Sequence, residues 1–337
     1  MSALVLRRLA VAAALTVAAA LPMAACTSTS PTGSAAGAGQ PGVGAAEPTA
    51  APEKPVVAKV DDVLGDHPLF GVMLADRSKK AVDAIEKSVD CRPELIKVFA
   101  SVEDGISAKT LNDVPGTPVL SIEPWSTGGG EEQPDWTLAS TIDSKWDDQY
   151  AAIARAVIAY RKPILVRFAH EMNGHWYPWG TANGNRKGEY VKAWKHVVGL
   201  FRDMGASNAL WVWSPNVIRG ADSKTIKEFW PGGNYVDVVG LTGYGVRETT
   251  PVKTYHDTLK LVYTLTDKPI VLTEVGVQPG PEKRAWLKAF GPWLKDTPRI
   301  AGFVWNQVNR DGEWSFDDTD ANVAAFRSSL ARSGVAC

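Results

Sequence analysis

Short apolar runs and longer amphipathic stretches alternate along most of this chain. The apolar runs, rich in Val, Ile, Leu, Phe and Trp, are typical of buried strands. They occupy residues 69–74, 95–100, 118–122, 164–168, 209–214, 236–242, 270–273 and 300–305. Each run is followed by a stretch that predicts a helix, at residues 79–89, 107–112, 146–160, 189–204, 225–229, 252–265, 282–294 and 321–333.

This order of elements predicts the architecture. Alternation of strand and helix implies parallel strand pairing, and eight such units predict a closed barrel. We therefore expect an α/β fold, a (β/α)8 TIM barrel, as a single domain over residues 63–337. A doubly wound open sheet is the alternative. It would usually carry a Gly-rich phosphate turn after its first strand, and the residues from Asp76 to Lys79 do not form one.

The N-terminal residues have the layout of a secretory signal. Arg7 and Arg8 precede an apolar run at residues 9–21, which is too short for a stable membrane span. Small residues then lead to Cys26, which resembles a bacterial lipoprotein processing site. We predict a signal peptide over residues 1–26 that ends at a lipidated Cys26. An ordinary signal peptide cut nearby is the alternative.

The amino-acid composition predicts a linker and argues against some classes of binding partner. Residues 27–62 consist mainly of Ala, Gly, Pro, Ser and Thr, which predicts a disordered tether. A formal net charge of −1 over 337 residues argues against nucleic acid or an anionic membrane surface as the main partner. We expect an exported protein that meets the membrane only through its lipid at Cys26, at the outer face of a bacterial cell, or is otherwise secreted. The sequence carries no signal for an oligomeric state.

Two cysteines remain once Cys26 is acylated. Cys91 follows the first predicted helix and Cys337 is the last residue. In an exported, oxidising setting they can pair and fasten the C-terminal tail. Two free thiols are the alternative, because sequence does not give the distance between them.

The densest chemistry lies at residues 170–180, which read His-Glu-Met-Asn-Gly-His-Trp-Tyr-Pro-Trp-Gly. They follow the fourth apolar run, so Glu171 comes at a strand end, where barrel enzymes keep their chemistry. The indoles and the phenol suit the face of a sugar ring, and the amide of Asn173 suits its hydroxyl groups. A sugar-binding site is therefore predicted, with a Trp-rich core turn as the alternative.

A second carboxylate, Glu274, comes at the end of the seventh run, on the opposite side of the predicted barrel. Two carboxylates facing each other across an aromatic cleft are what glycoside hydrolysis requires, one protonated and one ionised. Arg167 is expected to point into the barrel beside Glu274 and to favour its ionised form, and Tyr244 can donate to the same carboxylate. We assign Glu274 as the nucleophile and Glu171 as the acid/base.

These motifs resemble a known family. The residues from His170 to Gly174, followed by Trp176 and joined by those from Thr273 to Gly276, look like glycoside hydrolase family 26. The resemblance implies a retaining (β/α)8 enzyme of the β-mannanase type. It also implies an acid/base at strand four and a nucleophile at strand seven, which match Glu171 and Glu274.

Further roles come from the same resemblance by position. His170 resembles a group that contacts both sugar and nucleophile, and Trp176 matches the family's cleft tryptophan. Tyr244 resembles the tyrosine that orients the nucleophile. Trp305 resembles the aromatic platform under the sugar at the cleavage point.

The end of strand three departs from the family's mannanases, which often carry a histidine there. This chain has Glu123 and Trp125 instead, a layout closer to family members that act on mixed-linkage β-glucan. Two roles are open for Glu123: hydrogen bonding to a sugar hydroxyl, or pairing with Arg167. Trp125 and Trp213 are candidate sugar platforms, with core packing as the alternative.

The expected function is a surface-anchored or secreted retaining endo-β-glycanase acting on a β-linked polysaccharide by double displacement. The first substrate is β-1,4-mannan, with mixed-linkage β-1,3-1,4-glucan or β-1,3-xylan as alternatives within the family. A non-catalytic carbohydrate-binding barrel on the cell surface is the alternative from another class. We expect no cofactor and no metal, since His170 and His175 flank a loop instead of forming a helical metal-binding pair.

Overall fold

The computed structural model describes residues 55–180, 183–247, 249–309 and 312–337. Eight parallel strands form a closed barrel in which each strand pairs with its neighbours in sequence and the last pairs with the first. This confirms the predicted TIM barrel. The strands are β1 (Leu69–Met73), β2 (Leu95–Ser101), β3 (Thr117–Glu123), β4 (Ile164–Phe168), β5 (Ala209–Trp213), β6 (Val238–Gly245), β7 (Ile270–Val277) and β8 (Ile300–Asn306).

The helices surround this barrel. They are α1 (Lys79–Val89), α2 (Ala108–Asn112), α3 (Leu138–Ile142), α4 (Asp147–Tyr160), α5 (Glu189–Asp203), α6 (Pro251–Leu265), α7 (Lys283–Asp296) and α8 (Asp320–Leu330). The helix predicted at residues 225–229 is wrong: only a single 3-10 turn forms there, Lys227–Phe229. Trp230 is extended because it precedes Pro231, and the residue before proline disfavours helical geometry.

Side chains alternate between the two faces of each strand and build two cores. The barrel interior holds a small apolar cluster with Leu95, Leu165, Val212 and Val304 among its members. A much larger cluster fills the layer between strands and helices. The parity within each strand therefore decides whether a residue near its end faces the mouth of the barrel or the helices.

The N-terminal part of the described chain packs on the domain. Ala58 donates its backbone N–H to the carbonyl of Ser207 at 2.9 Å, and the Ser207 hydroxyl donates to the carbonyl of Val56. Leu64 is buried against the interior cluster of the barrel. The last residues of the predicted linker over 27–62 therefore contact the domain, and the disorder of the other linker residues stays a prediction. Cys26 and the predicted signal peptide lie outside the described residues.

A disulfide joins Cys91, just after α1, to the C-terminal residue Cys337, with 4.6 Å between their Cα atoms. The crosslink fastens the end of the chain to the first strand–helix unit. Within the described ranges, none of the helices has the length and apolar character needed to span a membrane.

Candidate active site

Glu274 lies within β7 and points to the mouth of the barrel, where it is only 7% exposed. Its Oε1 accepts a hydrogen bond from Nη1 of Arg167 at 2.5 Å, and its Oε2 accepts one from the hydroxyl of Tyr244 at 2.9 Å. Nζ of Lys97 is 3.4 Å from the same Oε1. Both oxygens are therefore held by donors or positive charge.

Arg167 takes this position because of strand parity. Leu165, two residues earlier in β4, is part of the interior cluster, so Arg167 also points inward and is fully buried. Its guanidinium donates to Thr242 Oγ1 at 2.6 Å as well as to Glu274. A weaker bond at 3.3 Å reaches Ser121, so the predicted placement beside Glu274 is what the structure has.

Glu171 follows β4 in a left-handed backbone conformation, with φ of 55°. Its N–H donates to the carbonyl of Ser214 at 2.8 Å, which ties the turn to the end of β5. Its carboxylate Oε2 accepts from Nε1 of Trp176 at 2.7 Å and from Nδ2 of Asn216 at 3.2 Å. A non-glycine residue at positive φ is costly and persists only where its surroundings hold it, which often marks a functional site.

The loop after Glu171 is held by amides and glycines. Asn173, predicted to bind sugar, is fully buried and exchanges two hydrogen bonds with the backbone of Asn216 at 2.8 and 2.9 Å. That prediction is wrong: Asn173 braces the loop that carries Asn216 to Glu171. A Cβ at Gly174 would lie 2.4 Å from the Trp176 ring, so only glycine lets the indole close over the turn.

The two carboxylates lie side by side. One oxygen of Glu171, one of Glu274 and a ring nitrogen of His170 are all within 4.8 Å of one another. A retaining pair is about 5–5.5 Å apart, whereas an inverting pair is at least about 6.5 Å apart to admit a water. The spacing therefore matches the retaining class.

Their environments push the two carboxyls in opposite directions. Burial, and next the charge of Glu274, raise the pKa of Glu171 above its usual value. Burial also pushes the pKa of Glu274 upward, but the charges of Arg167 and Lys97 and the bonds from Arg167 and Tyr244 outweigh it, so the net pKa is lowered. One protonated and one ionised carboxyl is the division of labour that glycoside hydrolysis needs.

His170 and Glu123 extend the site toward β3. Nε2 of His170 is 3.2 Å from the Tyr177 hydroxyl and 3.8 Å from Oε1 of Glu123. Burial and the nearby charge of Arg167 lower the pKa of His170 well below its usual value, so the ring is neutral. Burial, with the charge of Glu274, raises the pKa of Glu123 to about 7. The hydrogen bonds of Arg167 go to Ser121, Thr242 and Glu274, not to Glu123, and a bond from Glu123 to a sugar hydroxyl stays a prediction.

An aromatic wall of Trp125, Tyr177 and Trp179 stands beside this group. Tyr177 stacks on Trp179 with 4.4 Å between ring centres, and Trp125 meets both rings edge-on. Trp125 and Tyr177 are half-buried, while Trp179 is buried and donates to the His170 carbonyl at 2.6 Å. Trp125 thus keeps part of its surface exposed beside these rings, and its role as a sugar platform stays a prediction.

Two predicted sugar platforms are placed elsewhere. Trp305 follows the inward-facing Val304, so it points outward, is fully buried and packs on aromatic rings of α7 and α8 such as Phe290 and Phe326. Trp213 likewise follows the inward-facing Val212 and donates to a carbonyl in the outer layer. Both predictions are wrong, because a strand turns consecutive side chains to opposite faces.

Three residues at the site were missed by sequence reasoning. Trp314, half-buried, has its ring centre 4.6 Å from that of Tyr244 and is the tryptophan after β8 that borders the cleft. Gly276 leaves room for it, since a Cβ there would lie 2.9 Å from Trp314. Lys97 was hidden in an apolar run whose parity points it inward, and Asn216 gives no signal in the sequence alone.

The cluster of His170, Glu171 and Glu274 has the spacing of a metal site but not its electrostatics. Arg167 and Lys97 already place positive charge against Glu274, and Trp176 donates to Glu171. A cation would be repelled by the first two and would compete with the indole N–H for Glu171. The arrangement is suited to holding one carboxylate ionised and one protonated.

Comparison with known proteins agrees with this geometry. The model of glycosyl hydrolase family 26 matches residues 138–289, which include both Glu171 and Glu274. This region of the chain is of the glycoside hydrolase family 26 type. This confirms the resemblance drawn from the motifs at the ends of strands four and seven.

Individual curated relatives are similar to part of this chain. The chain is 25% identical over 224 residues to Endoglucanase H of Acetivibrio thermocellus, across 63% of this chain and 24% of that protein. It is 30% identical over 199 residues to mannan endo-1,4-beta-mannosidase A and B of Caldalkalibacillus mannanilyticus, across 53% and 36%. It is 38% identical over 122 residues to mannan endo-1,4-beta-mannosidase of Bacillus subtilis, across 34% and 31%. The chain thus spans between about a quarter and a third of these relatives' lengths.

Solved structures support the fold. GH26C from Muricauda superposes with a TM-score of 0.66 at 18% identity, over 80% of this chain and 87% of that one. A modular endo-beta-1,4-mannanase from Cellulomonas fimi superposes with a TM-score of 0.64 at 21% identity, over 82% and 73%. At these identities the likeness concerns the barrel alone.

Proposed function

We propose that this protein is a retaining endo-β-glycanase whose first substrate is β-1,4-mannan. One observation carries the proposal: the Glu171 and Glu274 carboxylate oxygens lie within 4.8 Å of each other while their pKa values are pushed apart. Relatives named as mannan endo-1,4-beta-mannosidases supply the choice of mannan.

In the first step the ionised Glu274 attacks the anomeric carbon while Glu171 gives its proton to the departing glycosidic oxygen. Arg167 and Tyr244 hold the two Glu274 oxygens, so the carboxylate meets the sugar in one orientation. The product is a glycosyl ester on Glu274 and a free leaving sugar.

In the second step Glu171, now ionised, takes a proton from a water that attacks the anomeric carbon. The ester bond to Glu274 breaks, and the carboxylate returns to its donors. Two inversions at one carbon give net retention. Trp176 and Asn216 donate to the Glu171 carboxylate and stabilise the ionised form that this step requires.

A silent sugar-binding barrel is the weaker candidate. Such a protein has no use for a strained turn at Glu171 or for two cations against one buried carboxylate. Burying charge is expensive, and a reaction of the ionised carboxylate would account for that cost.

Mixed-linkage β-glucan is a second candidate substrate, because Glu123 and Trp125 stand at the end of β3 beside His170. A buried carboxyl with a pKa of about 7 exists in both protonation states near neutrality, so it can donate or accept at a sugar hydroxyl. The similarity to Endoglucanase H leaves this option open.

Reducing-end release tests the proposal. The purified domain from residue 56 onward would be incubated with galactomannan, mixed-linkage β-glucan, β-1,3-xylan and β-1,4-xylan, beside the Glu274→Ala variant. We expect release from mannan, lost in the variant, with binding of the same glycan kept. Release from glucan would move the substrate to the second candidate. Binding without release by the wild type would support the silent barrel.

We also propose that the protein is exported and anchored by a lipid on Cys26. The layout of residues 1–26 and the Cys91–Cys337 disulfide support this, since structural disulfides persist in oxidising compartments. Mass spectrometry of the N-terminal peptide from membrane fractions would reveal the acylated cysteine. A Cys26→Ser variant that stays membrane-bound would contradict the anchor.

A further inference from the structure

Lys97 is a charged side chain in the interior of the barrel. It follows the inward-facing Leu95 by two residues in β2, and its side chain is fully buried. Lysine is almost never fully buried unless it is paired, because taking an ammonium group out of water is costly. Its presence here calls for a partner that offsets this cost.

The contacts of Lys97 single out one partner. Its Nζ lies 3.4 Å from Oε1 of Glu274 and 5.1 Å from the ring centre of Phe99. Within the described ranges this Nζ makes no hydrogen bond of ordinary geometry, so the link to Glu274 is an ion pair. Arg167 approaches the same oxygen from β4, and two cations from separate strands thus converge on one oxygen.

Other titratable and charged groups from neighbouring elements surround this pair. They are Glu123 on β3, Arg167 on β4, His170, Glu171 and Tyr177 in the segment after β4, and Tyr244 on β6. Among these described groups, Arg167 and Lys97 bring positive charge, since His170 is neutral.

We propose that Lys97 is a positioning residue that keeps Glu274 ionised and thereby sets the lower pH limit of the reaction. This rests on the proposed function, in which Glu274 must be a carboxylate to attack. The two cations act in different ways. Arg167 orients the Glu274 carboxylate by a hydrogen bond, whereas Lys97 contributes a positive charge that is lost when its amine is deprotonated.

The switch follows from the protonation of Lys97. Burial, and next the charge of Arg167, lower the pKa of Lys97 to about 7, against the opposing pull of Glu274. The amine is therefore charged below that pH, where Glu274 is at risk of protonation, and becomes neutral above it. Losing the amine should raise the pKa of Glu274 and harm the enzyme at acid pH, with little effect on the alkaline side.

A Lys97→Met variant tests this, because methionine fills similar space without charge. We expect the acid limb of kcat/KM to move up by at least about one pH unit, the usual effect of one close opposite charge. The loss relative to wild type should grow to about tenfold or more on that limb and fade above about pH 7, where the amine is neutral.

Lys283 offers a matched control. It is also a buried lysine and lies at the start of α7. Its Nζ is 2.8 Å from Asp318 and 2.6 Å from the carbonyl oxygen of Ser315. Lys283→Met should lower stability without moving the acid limb. If Lys97→Met lost activity equally at every pH, as a destabilised barrel would, the proposal would be overturned.

A measurement that needs no turnover separates this inference from the proposed function. With glutamate labelled at the side-chain carboxyl carbon, NMR titration follows Glu274, assigned by the loss of its signal in Glu274→Gln. The Glu274 pKa should rise in Lys97→Met, or in Lys97→Gln if the methionine variant does not fold. If the Glu274 pKa rises but the wild type is inactive on every glycan, the proposed function is refuted and the role of the ion pair stands. If the Glu274 pKa is unchanged, the inference about Lys97 is refuted.

Discussion

Replacing Trp176 with Phe removes one hydrogen bond from Glu171 and keeps an aromatic ring beside it. The indole N–H donates to Oε2 of Glu171 at 2.7 Å. A carboxyl accepts this bond best when it is ionised, so the bond favours the ionised form. Its loss should therefore raise the pKa of Glu171 further.

The size of the shift follows from the contacts. A hydrogen bond to a charged group is worth roughly 1.5–3 kcal/mol, and one pKa unit corresponds to about 1.4 kcal/mol. Glu171 is buried, so water can replace the lost donor only in part. Nδ2 of Asn216, at 3.2 Å from the same oxygen, remains to compensate. We expect a net rise of about one unit.

The pH dependence of kcat/KM is the assay, since its basic limb reports the essential acid in the free enzyme. The limb should move upward by about one unit in Trp176→Phe, so the variant stays active at higher pH than the wild type. Trp314→Phe is the control, because it makes the same substitution at a tryptophan whose ring contacts Tyr244 instead of Glu171. A basic limb that stays in place or moves down in a folded Trp176→Phe variant would refute the reasoning.

Three further predictions concern other parts of the molecule. Glu171→Ala should slow polysaccharide hydrolysis by about 10²–10⁴-fold but spare a dinitrophenyl glycoside, whose leaving group needs no acid; equal losses on both substrates would contradict the acid role. Trp314→Ala should lower kcat/KM about fivefold through lost ring contact with the sugar, whereas Trp305→Ala should cost about 3–5 kcal/mol in urea unfolding; the reverse pattern would exchange their roles. Cys91→Ser should lower the unfolding free energy by up to about 5 kcal/mol, given the sequence separation of 246 between Cys91 and Cys337, with activity kept; no change on reducing the wild type would argue against the crosslink.

The barrel and its two carboxylates were readable in the sequence. Eight apolar runs in alternation with amphipathic stretches allow few other folds, and a glutamate directly after a buried run lies where barrel enzymes keep their chemistry. Arg167 was also placed correctly, since an arginine within an apolar strand must point toward a partner. These inferences depend on composition and order, which sequence records directly.

The sequence did not predict which face of a strand some side chains take, because a shift of one residue reverses the face. Trp305 and Trp213 end apolar strands, and nothing in those runs marks which face each one takes. Lys97 was overlooked because its neighbours in the strand are apolar and its partner, Glu274, lies far along the chain. Asn173 has the chemistry of a sugar ligand, but its amide is used by the backbone of Asn216, which only the folded loop reveals.

The stereochemistry of the first product tests the central claim most directly. Proton NMR can follow the anomeric signals of the sugar released from the active glycan in the first minutes, before mutarotation mixes the anomers. The spacing of Glu171 and Glu274 predicts that the β anomer appears first, through a glycosyl ester on Glu274. Initial release of the α anomer would mean inversion and would contradict the assignment of Glu274 as nucleophile.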